Sequence, residues 1–161
     1  MENVKKILVP VDFSKVSPLI APWARTLAEK FNAEIHLLFV ARRFDHFSTL
    51  DVSAVAITAF EAEIVQAGER QMDEFVNTHF SGYPACQIRI ELGDAAEEIL
   101  RYVETQGIDL VVMGTHGRKG LDRIIFGSVA ERVIKNAQAP VMSINPYRIP
   151  TLKDAMATAG D

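Results

Sequence analysis

Ile108-Asp-Leu-Val-Val-Met-Gly114-Thr-His-Gly117, followed by Gly127-Ser128, is the part of the chain whose reading decides the fold. The run 108–113 is mostly apolar, as expected of a strand covered on both faces. Glycines follow it in the pattern G-x2-G-x9-G-[ST], and a helix-like segment, 129–136, follows the glycines. A strand that ends in spaced glycines and feeds a helix N-terminus is a phosphate-binding arrangement. Glycine allows positive φ and close backbone approach, the first N–H groups of the helix can face an anion, and the helix dipole favours negative charge there. The spacing matches neither G-x-x-x-x-G-K-[ST] nor G-x-G-x-x-G.

Working outward, residues 4–11 read as a buried strand, because Ile7, Leu8 and Val9 are consecutive apolar residues. A helix begins at Ser14 or Ser17 and reaches about Phe31. Ile20, Trp23, Ala24, Leu27 and Phe31 share one stripe at helical spacing, with Trp23 read as a core anchor. Pro18 suits the first turn with Ser17 as N-cap, and Pro22 is expected to distort it. Residues 33–40 form a second strand, and 42–51 a polar-aromatic connection. A long helix over 53–79 has Phe60, Ile64, Met72, Phe75 and Val76 on its apolar face. Ser81-Gly82-Tyr83-Pro84 breaks it, and 85–92 form a third strand. Asp94 caps the next helix, with Glu97 at the capping-box position and Gly107 as its left-handed end. Val141–Ile144 forms the fifth strand.

Strands alternating with helices imply a single-domain α/β fold with an open parallel five-stranded sheet, Rossmann-like or flavodoxin-like. Residues 1–146 make that domain, and 147–161 a C-terminal tail. Periodicity does not give the strand order. If the fourth strand neighbours the first, ligands sit between Val9-Pro10-Val11-Asp12 and Met113-Gly114, where the order reverses.

The chain has 161 residues and a formal net charge of −4. No basic face offsets that charge, which argues against nucleic acid. No apolar run approaches the roughly 18 residues of a membrane span. The start Met-Glu-Asn-Val-Lys-Lys enters a strand and is not a signal peptide. The lone Cys86 cannot form an internal disulfide, which fits a cytoplasmic location, and it reads as a small core residue.

Gly114 and Gly117 serve either a tight turn or a bound phosphate. Ser128-Val-Ala-Glu131 reads as a capping box whose N–H groups a phosphate would share. Asp12 either caps the helix after it, or accepts from an adenine amino group or ribose hydroxyl, or holds Mg²⁺ near phosphates. His116, Arg118, Lys119 and Arg123 surround the glycines, and Arg and Lys are natural phosphate partners. His116 has no metal-ligand neighbours in sequence, so a zinc site is rejected, and no residue pattern specifies a catalytic base or nucleophile.

Three segments together resemble the universal stress protein family: Ile7-Leu-Val-Pro-Val-Asp-Phe-Ser14, Ala33-Glu-Ile-His-Leu-Leu-Phe-Val40, and Asp109-Leu-Val-Val-Met-Gly-Thr-His-Gly-Arg118 through Gly127-Ser-Val-Ala-Glu131. They span residues 4–145. The glycine motif resembles that of the family's ATP-binding branch. The resemblance implies strand order 3-2-1-4-5. It also implies that Pro10, Val11 and Asp12 line adenine and ribose, and that Val40 covers the base. Met113, Gly114 and Gly117 would contact ribose and phosphates; Gly127, Ser128 and Val129 would bind phosphates, with His116 and Arg118 as further candidates. Asp122 departs from the small polar residue of many relatives, and the 42–47 connection is individual to this chain. The implied ligand is ATP, or ADP or AMP, with Mg²⁺ as an accompanying ion. The implied role is a nucleotide-dependent regulator or sensor in stress response. A slow ATP-hydrolysing or adenylyl-transferring enzyme and a dimeric interaction module without functional nucleotide binding are the alternatives. The family also implies a homodimer through Val141–Ile144, with Met142 facing outward.

Overall fold

A computed structural model of the protein describes residues 3–43, 53–115 and 127–146. Its elements are β1 (Lys6–Pro10), α1 (Ser17–Phe31), β2 (Glu34–Ala41), α2 (Ala54–His79), β3 (Cys86–Leu92), α3 (Ala95–Gln106), β4 (Leu110–Gly114), α4 (Ser128–Asn136) and β5 (Val141–Ile144). They build one five-stranded sheet of order β3-β2-β1-β4-β5, and every neighbouring pair is parallel. This is the α/β fold and the order expected from the sequence and its resemblance. No helix among the described residues is long and apolar enough to cross a membrane.

Side chains alternate across the strands. Ile7 and Val9 of β1 join α1 and α2 in one core, with Ile20, Ala24, Leu37, Met72 and Phe75. Leu8 points the other way, into a second core with Ile99, Val103, Val111, Met113 and Val133 from α3, β4 and α4. Burial on both faces is why these strands read as unbroken apolar runs.

Helix ends follow local chemistry. The Ser53 hydroxyl accepts from Ala56 N–H at 3.2 Å at the start of α2. Asp94 Oδ1 accepts from Glu97 N–H at 3.0 Å at the start of α3. Gly107 closes α3 at φ 60°. In α1 the cap is Val16, and Ser17 is already the first helical residue. Pro22 lies inside α1, where it removes the N–H that would reach Pro18, and the helix continues through it.

Three large side chains expected in the core are not there. Trp23 is 43% exposed, and Phe31 and Phe60 are exposed as well. The buried face of α1 consists of Ser17, Ile20, Ala21, Ala24 and Ala28. Alanines let the helix lie close to the sheet, which leaves Trp23 on its flank. Phe60 sits in the first half of α2, whose 26 residues rise about 39 Å, far longer than the strands beneath. Only Gly68, Met72 and Phe75 of α2 are buried. The half-buried Cys86 packs against the first core, and burial pushes its thiol up to about 11, as suits a structural cysteine.

His36 is the one fully buried titratable side chain among the described residues, at 2% exposure. Its Nδ1 lies 2.9 Å from the Tyr102 hydroxyl and its Nε2 3.4 Å from the Glu34 carboxylate. Burial lowers its pKa below 6.5; Glu34 opposes the shift and Lys6 adds to it. The unfolded chain therefore binds this proton more readily than the folded one. The corresponding stability is complete above about pH 6.5 and is lost as pH falls towards the lowered folded value. Urea midpoints measured from about pH 8 down to pH 5 should fall less steeply for His36→Gln than for the wild type. Equal slopes would show that His36 carries no such linkage.

Candidate functional site

β1 and β4 are neighbours that part company at their carboxyl ends. β1 pairs with β2 from Lys6–Glu34 to Pro10–Leu38, and β4 pairs with β5 from Val111–Val141 to Gly114–Ile144. Between β1 and β4 the register comprises Ile7–Leu110 and Leu8–Val111. Beyond it, Val11 N–H donates to Leu38 O at 2.8 Å, and Thr115 N–H donates to Ile144 O at 2.9 Å. The two chain ends are thus drawn in opposite directions, and a crevice opens where the strand order reverses, the place where open α/β sheets take ligands.

On the β1 side, Pro10 is half-buried and Val11 buried. Asp12 Oδ1 accepts from Ser14 N–H and from the Ser17 hydroxyl, both at 3.0 Å, and Asp12 N–H approaches Ser17 Oγ at 3.3 Å. This is an Asx-type turn that fixes the carboxylate at the strand end. Asp12 does not cap the backbone of α1; it holds Ser17, the residue first taken as the cap. Phe13 turns the chain at φ 57°, uncommon for a residue with a side chain, and its ring lies 4.7 Å from that of Phe39. Val40 is half-buried at the end of β2, two residues past the partner of Pro10, and packs on the second core.

On the other side, Met113 is buried and Gly114 ends β4. Gly114 is not among the positive-φ glycines, which in the described residues are Gly82, Gly93 and Gly107. Its lack of a side chain at the crevice therefore matters more than any left-handed turn. Gly127 stands at φ −69° and ψ 155° and is the N-cap of α4, with no side-chain cap. This corrects the expected capping box: Ser128 is the first helical residue, and Glu131 Oε1 instead accepts from Lys135 Nζ at 2.6 Å. It also removes positive φ as the reason for glycine at 127. Gly127 N–H donates to Thr115 O at 2.6 Å, and a Cβ there would stand 3.3 Å from that same oxygen.

The Gly127–Thr115 bond brings Gly127, Ser128 and Val129 to the end of β4. The first N–H groups of a helix lack intrahelical partners, and the N-cap here is a glycine, which has no side chain to cap them. They face the positive end of the helix dipole, ready for an anion. Arg132 is turned away, bonded to Asp94 Oδ1 at 2.8 Å and Glu97 Oε1 at 3.4 Å at the start of α3. His116, Gly117 and Arg118, with Lys119, Asp122 and Arg123, lie outside the described residues. No group of three or more His, Cys, Asp or Glu that could hold a metal occurs among the described residues. Sequence reasoning missed Thr115 and the role of Ser17. Thr115 acts through its carbonyl, which carries no residue-type signal, and Ser17 acts through a contact five residues back.

Comparison with known proteins gives the same fold and more. The chain is 36% identical over 146 residues to universal stress protein MJ0531 of Methanocaldococcus jannaschii, covering 89% of this chain and 84% of that one. Universal stress protein UspA from Lactobacillus plantarum superposes with a TM-score of 0.73 at 28% identity, covering 90% and 100% of the two chains. A universal stress protein from Archaeoglobus fulgidus in complex with dAMP shares the fold at a TM-score of 0.62 and 16% identity, covering 89% and 100%. The sequence model of the universal stress protein family matches residues 3–145, the whole sheet and all four helices, and the chain belongs to that family.

Proposed function

We propose that the protein binds an adenine nucleotide, ATP or its products ADP and AMP, in the crevice between β1 and β4, and acts as a nucleotide-dependent regulator or sensor in stress response. The observation that carries this reading is the N-terminus of α4, which has no side-chain cap among the described residues and is held against the end of β4 by the Gly127–Thr115 bond. A relative of the same fold occurs with dAMP, which supports the nucleotide class. In this reading Pro10, Val11, Asp12 and Val40 take the base and ribose. Met113, Gly114 and Gly117 contact ribose and phosphates, with His116 and Arg118 beside them. Gly127, Ser128 and Val129 bind phosphates by backbone N–H groups, and Mg²⁺ accompanies them. The cytoplasm is the proposed location.

Calorimetry with Mg-ATP should give a dissociation constant in roughly the micromolar range, about −8 kcal/mol. Gly127→Val should weaken it at least about tenfold with the fold retained, because valine tolerates this backbone but crowds Thr115 O and the phosphate space. No heat with ATP, ADP or AMP at millimolar concentration would refute the reading. Unchanged affinity in folded Gly127→Val would place the phosphates elsewhere.

Turnover is expected to be slow. The Ser17 hydroxyl, which donates to Asp12, is buried and so badly placed to act as a nucleophile, and positioned phosphates with Mg²⁺ give modest acceleration at most. Timed phosphate release from saturating ATP is the measurement. A rate near about 10 s⁻¹ would replace the regulator with an enzyme.

The edge strand β5 is proposed to pair with its own copy in a two-fold dimer. Among the described residues it bonds to β4 alone, and an open edge invites pairing. Met142 is half-buried against the first core rather than outward-facing, and Ser143 is the exposed residue of the strand. Ser143→Pro, which removes a backbone donor from β5, should therefore disrupt the dimer more cleanly than a charge at Met142. Sedimentation at micromolar concentration should show the wild type near twice 17.9 kDa; a single species at the monomer mass would refute the pairing.

A further inference from the structure

A cleft lies between β3 and α3, at the edge of the sheet remote from β5. Cys86, Ile90 and Leu92 of β3 pack on the first core, so the alternate residues Gln87, Arg89 and Glu91 face the α3 side. α3 meets them with Glu98, Arg101, Tyr102 and Thr105, one stripe at helical spacing. Among the described residues no β3 side chain belongs to the second core, which ends at Leu38 and Val40 of β2. α3 therefore packs over β2 and leaves a cavity of about 300 Å³ beside β3. That volume is at the lower end of the range for small-molecule sites, roughly 300–1,000 Å³.

The charges in the cleft are ordered. The side chains of Glu91 and Glu98 are 22% and 17% exposed, whereas those of Arg89 and Arg101 are 61% and 60% exposed. The carboxylates thus lie deep and the guanidiniums at the mouth. Glu91 Oε1 accepts from Arg89 Nε at 2.8 Å, and its Oε2 lies 3.6 Å from Arg101 Nη2, which also donates to Glu98 Oε2. One carboxylate therefore holds two guanidiniums side by side. Arg89 bonds through Nε and Arg101 through Nη2, and their other guanidinium nitrogens have no partner among the described residues. A Cβ at Gly93 would stand 2.8 Å from Glu98 Oε1, so glycine at the end of β3 leaves that carboxylate its seat. The layer behind the cleft is polar as well. His36 holds the Tyr102 hydroxyl through Nδ1, and Glu34 accepts from Gln87 Nε2. His36 Nε2 is buried with no hydrogen-bond partner among the described residues, an exception to the usual pairing of buried polar groups.

We propose that this cleft binds a small zwitterion of the amino-acid class. Two guanidiniums and two carboxylates line it, so its net charge gathers neither a polyanion nor a simple cation, and this separates it from the nucleotide crevice. A free amino acid has the matching order. Its carboxylate takes the unspent N–H groups of Arg89 and Arg101 at the mouth, as guanidiniums favour. Its ammonium reaches Glu91 and Glu98, whose oxygens offer further lone pairs. The two charges of an amino acid sit on adjacent carbons, as those of the cleft sit on side chains in contact. Gln87, Tyr102 and Thr105 are there to meet a polar side chain.

Amide NMR of the full chain, titrated with each proteinogenic L-amino acid in turn, tests this. At least one should shift the amides of 87–91 and 98–106 saturably at millimolar concentration or below. Its N-acetyl derivative, which lacks the cation, and its amide, which lacks the anion, should each bind at least about tenfold more weakly. Arg89→Ala should weaken the parent amino acid at least about tenfold, with retained amide dispersion establishing that it is folded. Arg132→Gln removes a guanidinium that bonds to Asp94 and Glu97 outside the cleft, and should bind as the wild type does. No saturable shift at these amides with any amino acid would overturn the proposal. So would undiminished binding of both derivatives, undiminished binding by Arg89→Ala, or equal weakening in Arg132→Gln, which would mark a general effect of surface charge.

Discussion

Burial of β1 and β4 on both faces is the constraint from which the rest of the molecule follows. Ile7, Leu8 and Val9, and likewise Val111 and Val112, are shut off from water, so no polar side chain can work from the middle of these strands without a buried partner. Chemistry is displaced to the strand ends. There the topology opens a gap, because β1 continues along β2 while β4 continues along β5. The crevice is thus a consequence of strand order rather than of any one residue. What the residues add is the choice of which groups face it: a fixed carboxylate on one side and a helix N-terminus with a glycine N-cap on the other.

These two sides suit different parts of a ligand. The carboxylate of Asp12 is held by Ser14 and Ser17, and it favours hydroxyl or amino donors while repelling anions. The start of α4 does the opposite, since its first N–H groups carry partial positive charge. A molecule that is polar and uncharged at one end and anionic at the other meets both demands, and a nucleotide is such a molecule. The pinch between Thr115 and Gly127 matters here because it ties the start of α4 to the end of β4. It adds to the packing of Ala130 and Val133 against Val111 and Met113 in the second core, which holds the body of α4.

The elements were largely legible in the sequence where one mechanism dominated. Unbroken apolar runs marked β1, β2 and β4, and Ser53, Asp94 and Gly107 marked helix ends through side-chain or left-handed caps. Strand order was not legible from periodicity and came from the family resemblance. The errors have physical causes. Serine followed three residues later by glutamate suggests a capping box, but Gly127 O already accepts from Glu131 N–H at 2.9 Å, which moves the cap one residue earlier. Trp23 was judged by its hydrophobicity, yet Ala21, Ala24 and Ala28 set the buried face because small side chains permit close packing. Phe60 lies on a helix that outruns its sheet. At the site, strand-end residues could be named from position, whereas Thr115 could not, because a backbone carbonyl is common to every residue.

The two edges of the sheet differ in a way that bears on assembly. β3 carries Gln87, Arg89 and Glu91 outward on one face, with Arg89 Nε 2.8 Å from Glu91 Oε1, and Arg101 of α3 adds a second cation at 3.6 Å. Charges on an edge strand discourage pairing with another copy, because they would have to be desolvated or matched. β5 reads Val-Met-Ser-Ile and has no charge at all. Met142 and Ile144 pack on the first core and Val141 on the second, while Ser143 is exposed. The two edges thus differ in charge, which is the basis on which pairing was proposed for β5 rather than β3. The β5 edge adjoins β4, so a second copy paired there would stiffen the strand whose end meets the start of α4.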